Sequence, residues 1–346
     1  MKKTVKLLSV VLALMLMVSM LAVAALADPV ALENSKAKFT TTFTYTGSIK
    51  PTRTFTYTIS NGVCTSEADS VDTTGYFTGT PTIGSAEFVP ADFDADTTAS
   101  KEVEVDFSGV TFNVPGTYEY TITQVAPENA VAGLTLDANA TRTLVVIVSQ
   151  TATGITYSYV LDGGAAKGEG FANSFDTCNL TVSKTVTGNQ GDLGKYFKFT
   201  VTVTLPDGKV APYEAVAVNG QSATPSGAGS GTKYSDDEMA SANGVDSLTF
   251  NALSGGKVFY LKHGQSLTIT GLPKGSSYTV TEDNEGYTKT ATGDSSNNME
   301  ADATAAFTNS KTGTVPTGVV MSLVPGAMLL VAGAAGIILR GRKKEN

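Results

Sequence analysis

Gly275-Ser276-Ser277-Tyr278-Thr279-Val280-Thr281-Glu282 is the stretch that decides the fold. Tyr278 and Val280 alternate with threonines, the period of a strand with one dry face and one wet face rather than of a helix. The stretch occurs twice. Pro115-Gly116-Thr117-Tyr118-Glu119-Tyr120-Thr121-Ile122-Thr123-Gln124 has the same turn and the same alternation, and ends in an amide where the other ends in a carboxylate. Outward from these two segments the match continues. Phe171-Ala172-Asn173-Ser174 corresponds to Phe307-Thr308-Asn309-Ser310 near the close of each unit, and Phe39-Thr40-Thr41-Thr42-Phe43 to Leu180-Thr181-Val182-Ser183-Lys184 at its opening. Such self-similarity marks a duplicated structural unit.

The rest of the middle has one texture. Thr54-Phe55-Thr56-Tyr57-Thr58-Ile59, Val103-Glu104-Val105-Asp106-Phe107 and Ser266-Leu267-Thr268-Ile269-Thr270 are short alternating runs separated by Gly, Asp, Asn and Pro, and no helical period of useful length occurs. The expected class is all-β, with two tandem Ig-like sandwiches. The first spans 28–176 and the second 177–311. The second begins where the first ends, so the two are expected to form an extended and stiff pair.

The termini differ in kind. Lys2, Lys3 and Lys6 precede an apolar run ending in Ala25-Leu26-Ala27, which reads as a secretory signal peptide over 1–27, cut before Asp28. Val319 to Leu339 is uncharged and long enough to cross a bilayer, and Arg340, Arg342, Lys343 and Lys344 after it hold the tail in the cytoplasm. Immediately before that span stands Thr314-Val315-Pro316-Thr317-Gly318. A Pro-Thr-Gly element, a membrane span and a basic tail together resemble the sorting signal read by sortases of Gram-positive bacteria. The short form here departs from Leu-Pro-x-Thr-Gly and resembles the form of some pilins. The resemblance assigns 312–346 to sorting, with cleavage between Thr317 and Gly318: a thiolate attacks the Thr317 carbonyl and the acyl group passes to an amine.

Composition excludes several function classes. The 346 residues include one His and two Cys, too few for a His/Cys metal cluster, so neither metal nor cofactor is expected. A net charge of -8, more negative still without the basic ends, argues against nucleic acid as a partner. A surface enzyme would need catalytic residue types in clusters that the sequence lacks.

Alternation does place three polar groups in one apolar core. Leu180 and Val182 face inward, so Lys184 does too; Tyr278 and Val280 share a face with Glu282, and Phe307 shares one with Asn309. Burying an amine, an acid and an amide is costly unless they are paired. Two resolutions exist. One is a buried ion pair with a hydrogen-bonded asparagine. The other is reaction: burial lowers the lysine pKa and raises the glutamate pKa, so a neutral amine can attack the Asn309 amide while the acid shuttles protons. Alternation leaves both open.

These residues, with the sorting signal, give the whole chain a resemblance to the major pilins of the streptococcal T-antigen type, the family with pilin isopeptide-linkage (CnaB-like) domains. The resemblance implies a Lys184–Asn309 isopeptide bond promoted by Glu282, in a non-enzymatic pilus shaft subunit. It implies as partners a pilin sortase, identical subunits in a covalent polymer, peptidoglycan reached through a housekeeping sortase, and minor pilins at tip or base. The location implied is the cell surface and wall, after a transient membrane stage. A wall-anchored adhesin or stalk that is never polymerised is the alternative. The acceptor amine in such pilins is a lysine near the end of the first domain, and here Lys167, in Gly163-Gly164-Ala165-Ala166-Lys167-Gly168, fits it, with Lys101 and Lys195 as substitutes.

The first unit departs from the family. Phe43 stands where Lys184 stands in the repeat and Gln124 where Glu282 stands, leaving Asn173 alone, so no bond is expected there. Export of Cys64 and Cys178 permits a disulfide closing the first unit; two buried thiols and a Cys–Gln thioester are the other readings.

Overall fold

The computed structural model describes residues 30–65, 75–162, 169–220 and 234–314. The expected signal peptide, the apolar C-terminal span, Lys167, Val315, Pro316, Thr317 and Gly318 lie outside the described residues. No described helix is long and apolar enough to cross a membrane.

The alternating stretches become strands: β1 (Lys36–Thr46), β2 (Thr98–Asp106), β3 (Gly116–Gln124), β4 (Thr141–Thr151), β5 (Gly154–Asp162) and β6 (Ala172–Thr187). One sheet of the first sandwich runs β5-β4-β3, antiparallel, with Val30–Ala31 on the β5 edge and Tyr57–Ile59 and Val63–Cys64 against β3. The facing sheet places β1 between β2, antiparallel, and β6, parallel. Tyr118, Tyr120, Ile122 and Gln124 all point into the core from β3, as a period of two requires. Across from them an aromatic cluster meets edge to face, with Phe43 and Phe55 centroids 5.0 Å apart.

The second sandwich adds β7 (Phe197–Thr204), β8 (Ala215–Asn219), β9 (Lys257–Leu261), β10 (Ser266–Pro273), β11 (Ser277–Asp283), β12 (Thr288–Thr292) and β13 (Ala303–Ser310). One sheet has the order β8-β10-β6-β13-β12; the other has β9-β7-β11. Again the first and last strands, β6 and β13, run parallel. The helix Asp236–Asn243, capped by the Ser235 hydroxyl on Glu238 N, packs Met239 with Tyr196, Tyr234 and Tyr260 in a small satellite cluster.

β6 is the last strand of one sandwich and the first of the next. Asn173, Phe175 and Thr177 are buried on its first half, then Cys178, Leu180, Val182, Lys184 and Val186 on its second. The consecutive buried residues Thr177 and Cys178, with a register shift against β10 between Cys178 and Leu180, mark a β-bulge that reverses which face is inward. Gly47, at φ +89°, lets β1 end against this bulge; a Cβ there would fall 2.3 Å from Thr177 O. A second contact braces the junction. Ala132 N donates to Val210 O (3.0 Å), Val210 N donates to Ala130 O (2.8 Å), and Tyr213 packs against Phe175 and Phe250.

The cysteines do not close the first unit. Cys64 belongs to the first core and Cys178 to the second, and no disulfide joins them. The bulge turns Cys178 away from the first core, which separates the two thiols.

Candidate functional site

Three strands from both sheets of the second sandwich converge on one buried point. β6 supplies Lys184, opposite Phe307; β13 supplies Asn309, opposite Val186; and β11, in the facing sheet, supplies Glu282, opposite Phe199 of β7. Lys184 is 1%, Glu282 9% and Asn309 0% exposed. Lys184 Nζ lies 2.5 Å from Glu282 Oε1, and Asn309 Nδ2 donates to the same oxygen at 3.0 Å. The carboxylate thus bridges amine and amide.

The site is under-satisfied in a telling way. Lys184 Nζ is held by its ion pair with Oε1, while Glu282 Oε2 and Asn309 Oδ1 are buried without a hydrogen-bond partner. A settled polar network does not leave two such acceptors together. Phe197, 4.3 Å below Nζ, and the Phe199–Phe307 edge-to-face contact wall the site with rings. Burial lowers the Lys184 pKa to about 8 against the opposing attraction of Glu282. Burial likewise raises that of Glu282 against the hydrogen bond and charge of Lys184. Both shifts favour neutral forms, an amine with a free lone pair beside an undissociated acid.

The first sandwich holds a counterpart, at a register that corrects the sequence alignment. Asn173 lies opposite Phe43, just as Asn309 lies opposite Val186. Two residues back along each strand, the partner of Lys184 in the repeat is therefore Thr41, not Phe43. The backbone bond Thr42 N to Phe171 O continues the same register. Gln124 lies opposite Tyr57 as Glu282 lies opposite Phe199, so Gln124 does hold the acid's place. Phe43 instead fills the aromatic core with Phe55, Phe88 and Phe93. Thr41 carries no amine; its hydroxyl is 2.5 Å from the Tyr57 hydroxyl.

Thr41 and Tyr57 were not flagged by the sequence, because a threonine in a threonine-rich strand has no distinguishing pattern. Of the other lysines considered as acceptors, Lys101 is paired with Asp92 (2.5 Å), and Lys195 is mostly buried against Glu285 (2.6 Å).

Fold and site together define a class: a tandem β-sandwich protein whose second core holds an amine, an acid and a carboxamide together. Residues 37–176 match the family described as the Spy0128-like isopeptide containing domain. Residues 178–311 match a family described as a domain of unknown function. Over 267 residues the chain is 30% identical to a protein named pilin from Streptococcus pyogenes serotype M1, covering 71% of this chain and 73% of that one. It is 32% identical over 150 residues to the pilus tip adhesin Cpa of Streptococcus pyogenes, which is 41% of this chain and 18% of the adhesin. The crystal structure of the major pilin from Streptococcus pyogenes aligns at 25% identity and a TM-score of 0.46, over 81% of this chain and 100% of that one. The chain belongs to the streptococcal pilin family, as a structural subunit rather than an enzyme.

Proposed function

We propose that this pilus shaft subunit welds its second sandwich with a Lys184–Asn309 isopeptide bond and is then linked to its neighbours by a sortase. The observation that carries the reading is the convergence of Lys184, Glu282 and Asn309 in one dry core. Neutral Lys184 Nζ attacks Asn309 Cγ. Glu282 takes a proton from the attacking nitrogen and delivers one to the departing amide nitrogen. The Cγ–Nδ2 bond breaks, ammonia leaves, and the new Nζ–Cγ amide remains beside a protonated acid. No water is consumed, and the reaction happens once per chain. The first sandwich, with Thr41 and Gln124 in place of amine and acid, forms no such bond.

Intact mass of the 28–314 segment under reducing conditions tests this. One ammonia is expected to be missing from the wild type and none from Glu282→Ala. A full-mass wild type, or loss of two ammonias, overturns it.

For assembly, Thr317 of one subunit is joined to Lys167 of the next by a pilin sortase, and the finished fibre is transferred to peptidoglycan at the cell surface, with minor pilins at its ends. The domain limits 28–176 and 177–311 and the sorting signal 312–346 belong to the same reading. Co-expression with a pilin sortase should give a ladder of covalent multimers that Lys167→Ala abolishes. A single wall-linked species instead supports the unpolymerised stalk or adhesin.

A further inference from the structure

We infer that the first sandwich holds a dormant cross-linking site, with its electrophile intact, at Thr41, Tyr57, Gln124 and Asn173. The inference rests on the cross-linking reading of the second sandwich. Asn173 is 4% exposed and sits at the strand position of Asn309. Its carboxamide is held more firmly than that of Asn309. Gln124 Nε2 (2.8 Å) and Asp137 N (3.1 Å) both donate to Asn173 Oδ1, while Asn173 Nδ2 donates to Gln124 Oε1 at 3.3 Å. The Asp137 N–H, which no substitution at position 124 removes, is a donor of the kind a developing oxyanion needs; Asn309 Oδ1 has none.

What the site lacks is a nucleophile and a proton carrier. Thr41 carries no amine and Gln124 cannot give up or take a proton. The Tyr57 hydroxyl is bonded to Thr41; the matching residue in the second sandwich, Phe199, has no hydroxyl. The surroundings still suit the chemistry. Phe171 faces Phe39 and Tyr57 as Phe307 faces Phe199, so the aromatic wall is kept. Three substitutions, Thr41→Lys, Tyr57→Phe and Gln124→Glu, therefore complete the set. The amine introduced at position 41 would attack Asn173 Cγ, the carboxylate introduced at position 124 would relay the proton to the departing amide nitrogen, and ammonia would leave.

The test uses the 28–314 segment in a Lys184→Ala background, so that any ammonia lost comes from the first sandwich. The folded triple variant is expected to lose one ammonia and to yield a peptide joining positions 41 and 173. Phe43→Lys with Gln124→Glu, built on the other alignment, is expected to lose none. A folded triple variant at full mass, or reaction of the position-43 variant, overturns the inference. The wild-type mass is read separately, so failure of the second-sandwich chemistry is not confused with failure here. If the triple variant does not fold, the reverse exchange decides. Lys184→Thr, Phe199→Tyr and Glu282→Gln together should melt higher than Lys184→Thr with Glu282→Gln alone, because only the former restores the hydroxyl contact. An equal or lower melting temperature overturns the correspondence.

Discussion

At Lys184 two opposing demands meet: burial disfavours its charge, while Glu282 at 2.5 Å favours it. Burial wins, and that balance can be read in an unreacted chain. In Asn309→Ala the amine stays free. Its folded pKa of about 8 lies below the unfolded 10.5. Between those values the unfolded chain holds a proton that the folded chain has lost, so stability rises with pH across that window. Glu282 acts in the opposite sense at lower pH. Its folded pKa is raised, so stability falls as pH climbs above the ordinary carboxylate value. The expected melting temperature of Asn309→Ala therefore climbs between pH 8 and 10; a flat or falling profile there refutes a depressed amine. Removing one partner only is expected to be costly. Lys184→Met in the Asn309→Ala background leaves Glu282 buried without its amine, but the acid can protonate, so a loss of about 1–3 kcal/mol at neutral pH, shrinking in acid, is expected from urea unfolding.

Strands show how much of this was legible. Alternation located the inward faces of β3, β6, β11 and β13, because one buried face imposes a period of two on each. Lys184, Glu282 and Asn309 followed from it, and Gln124 and Asn173 from the repeat. Alternation cannot fix a register between strands: Thr41 and Phe43 both point inward, and only the parallel pairing of β1 with β6 distinguishes them. The bulge at Thr177 and Cys178 was equally hidden, since it depends on where two cores meet, and it is what keeps Cys64 and Cys178 apart. Gly47 belongs to that junction. Gly47→Ala would strain a positive φ and drive a Cβ into the Thr177 carbonyl. A destabilisation of about 1–3 kcal/mol is expected, read as a lower denaturant midpoint for the first sandwich. An unchanged midpoint would mean that β1 does not press on the bulge. The named families lie crosswise to the chemistry: the match to an isopeptide domain covers the sandwich without an amine, and the match of unknown function covers the one with the full set.

Across the whole molecule, β6 determines where tension goes. It enters the first sandwich at Ala172 and ends in the second at Thr187, with Lys184 near its end. With the proposed bond in place, a pull applied just before Ala172 and just after Ser310 would run along β6 to Lys184, cross to Asn309, and leave by the last residues of β13. Neither core would lie in that line: the first sandwich hangs from β6, and the proposed bond would bridge the chain between 184 and 309. A first sandwich without a cross-link would then be no weakness, provided that load arrives just ahead of β6 in the sequence, as it would at Lys167. Closing a loop of this length with the proposed bond would also restrict the unfolded chain, by analogy with disulfides worth about 4–5 kcal/mol. Force spectroscopy separates the arrangements. With handles at positions 169 and 314, the wild type should rupture without releasing the segment between 184 and 309. Lys184→Ala should release it as one long extension of roughly 3.3–3.6 Å per residue. With the first handle moved to Val30, the first sandwich should enter the load path and open at low force in both chains. If the wild type lengthens from position 169 as readily as Lys184→Ala does, tension is not passing through the bond, and the shaft must owe its stiffness to contacts between subunits.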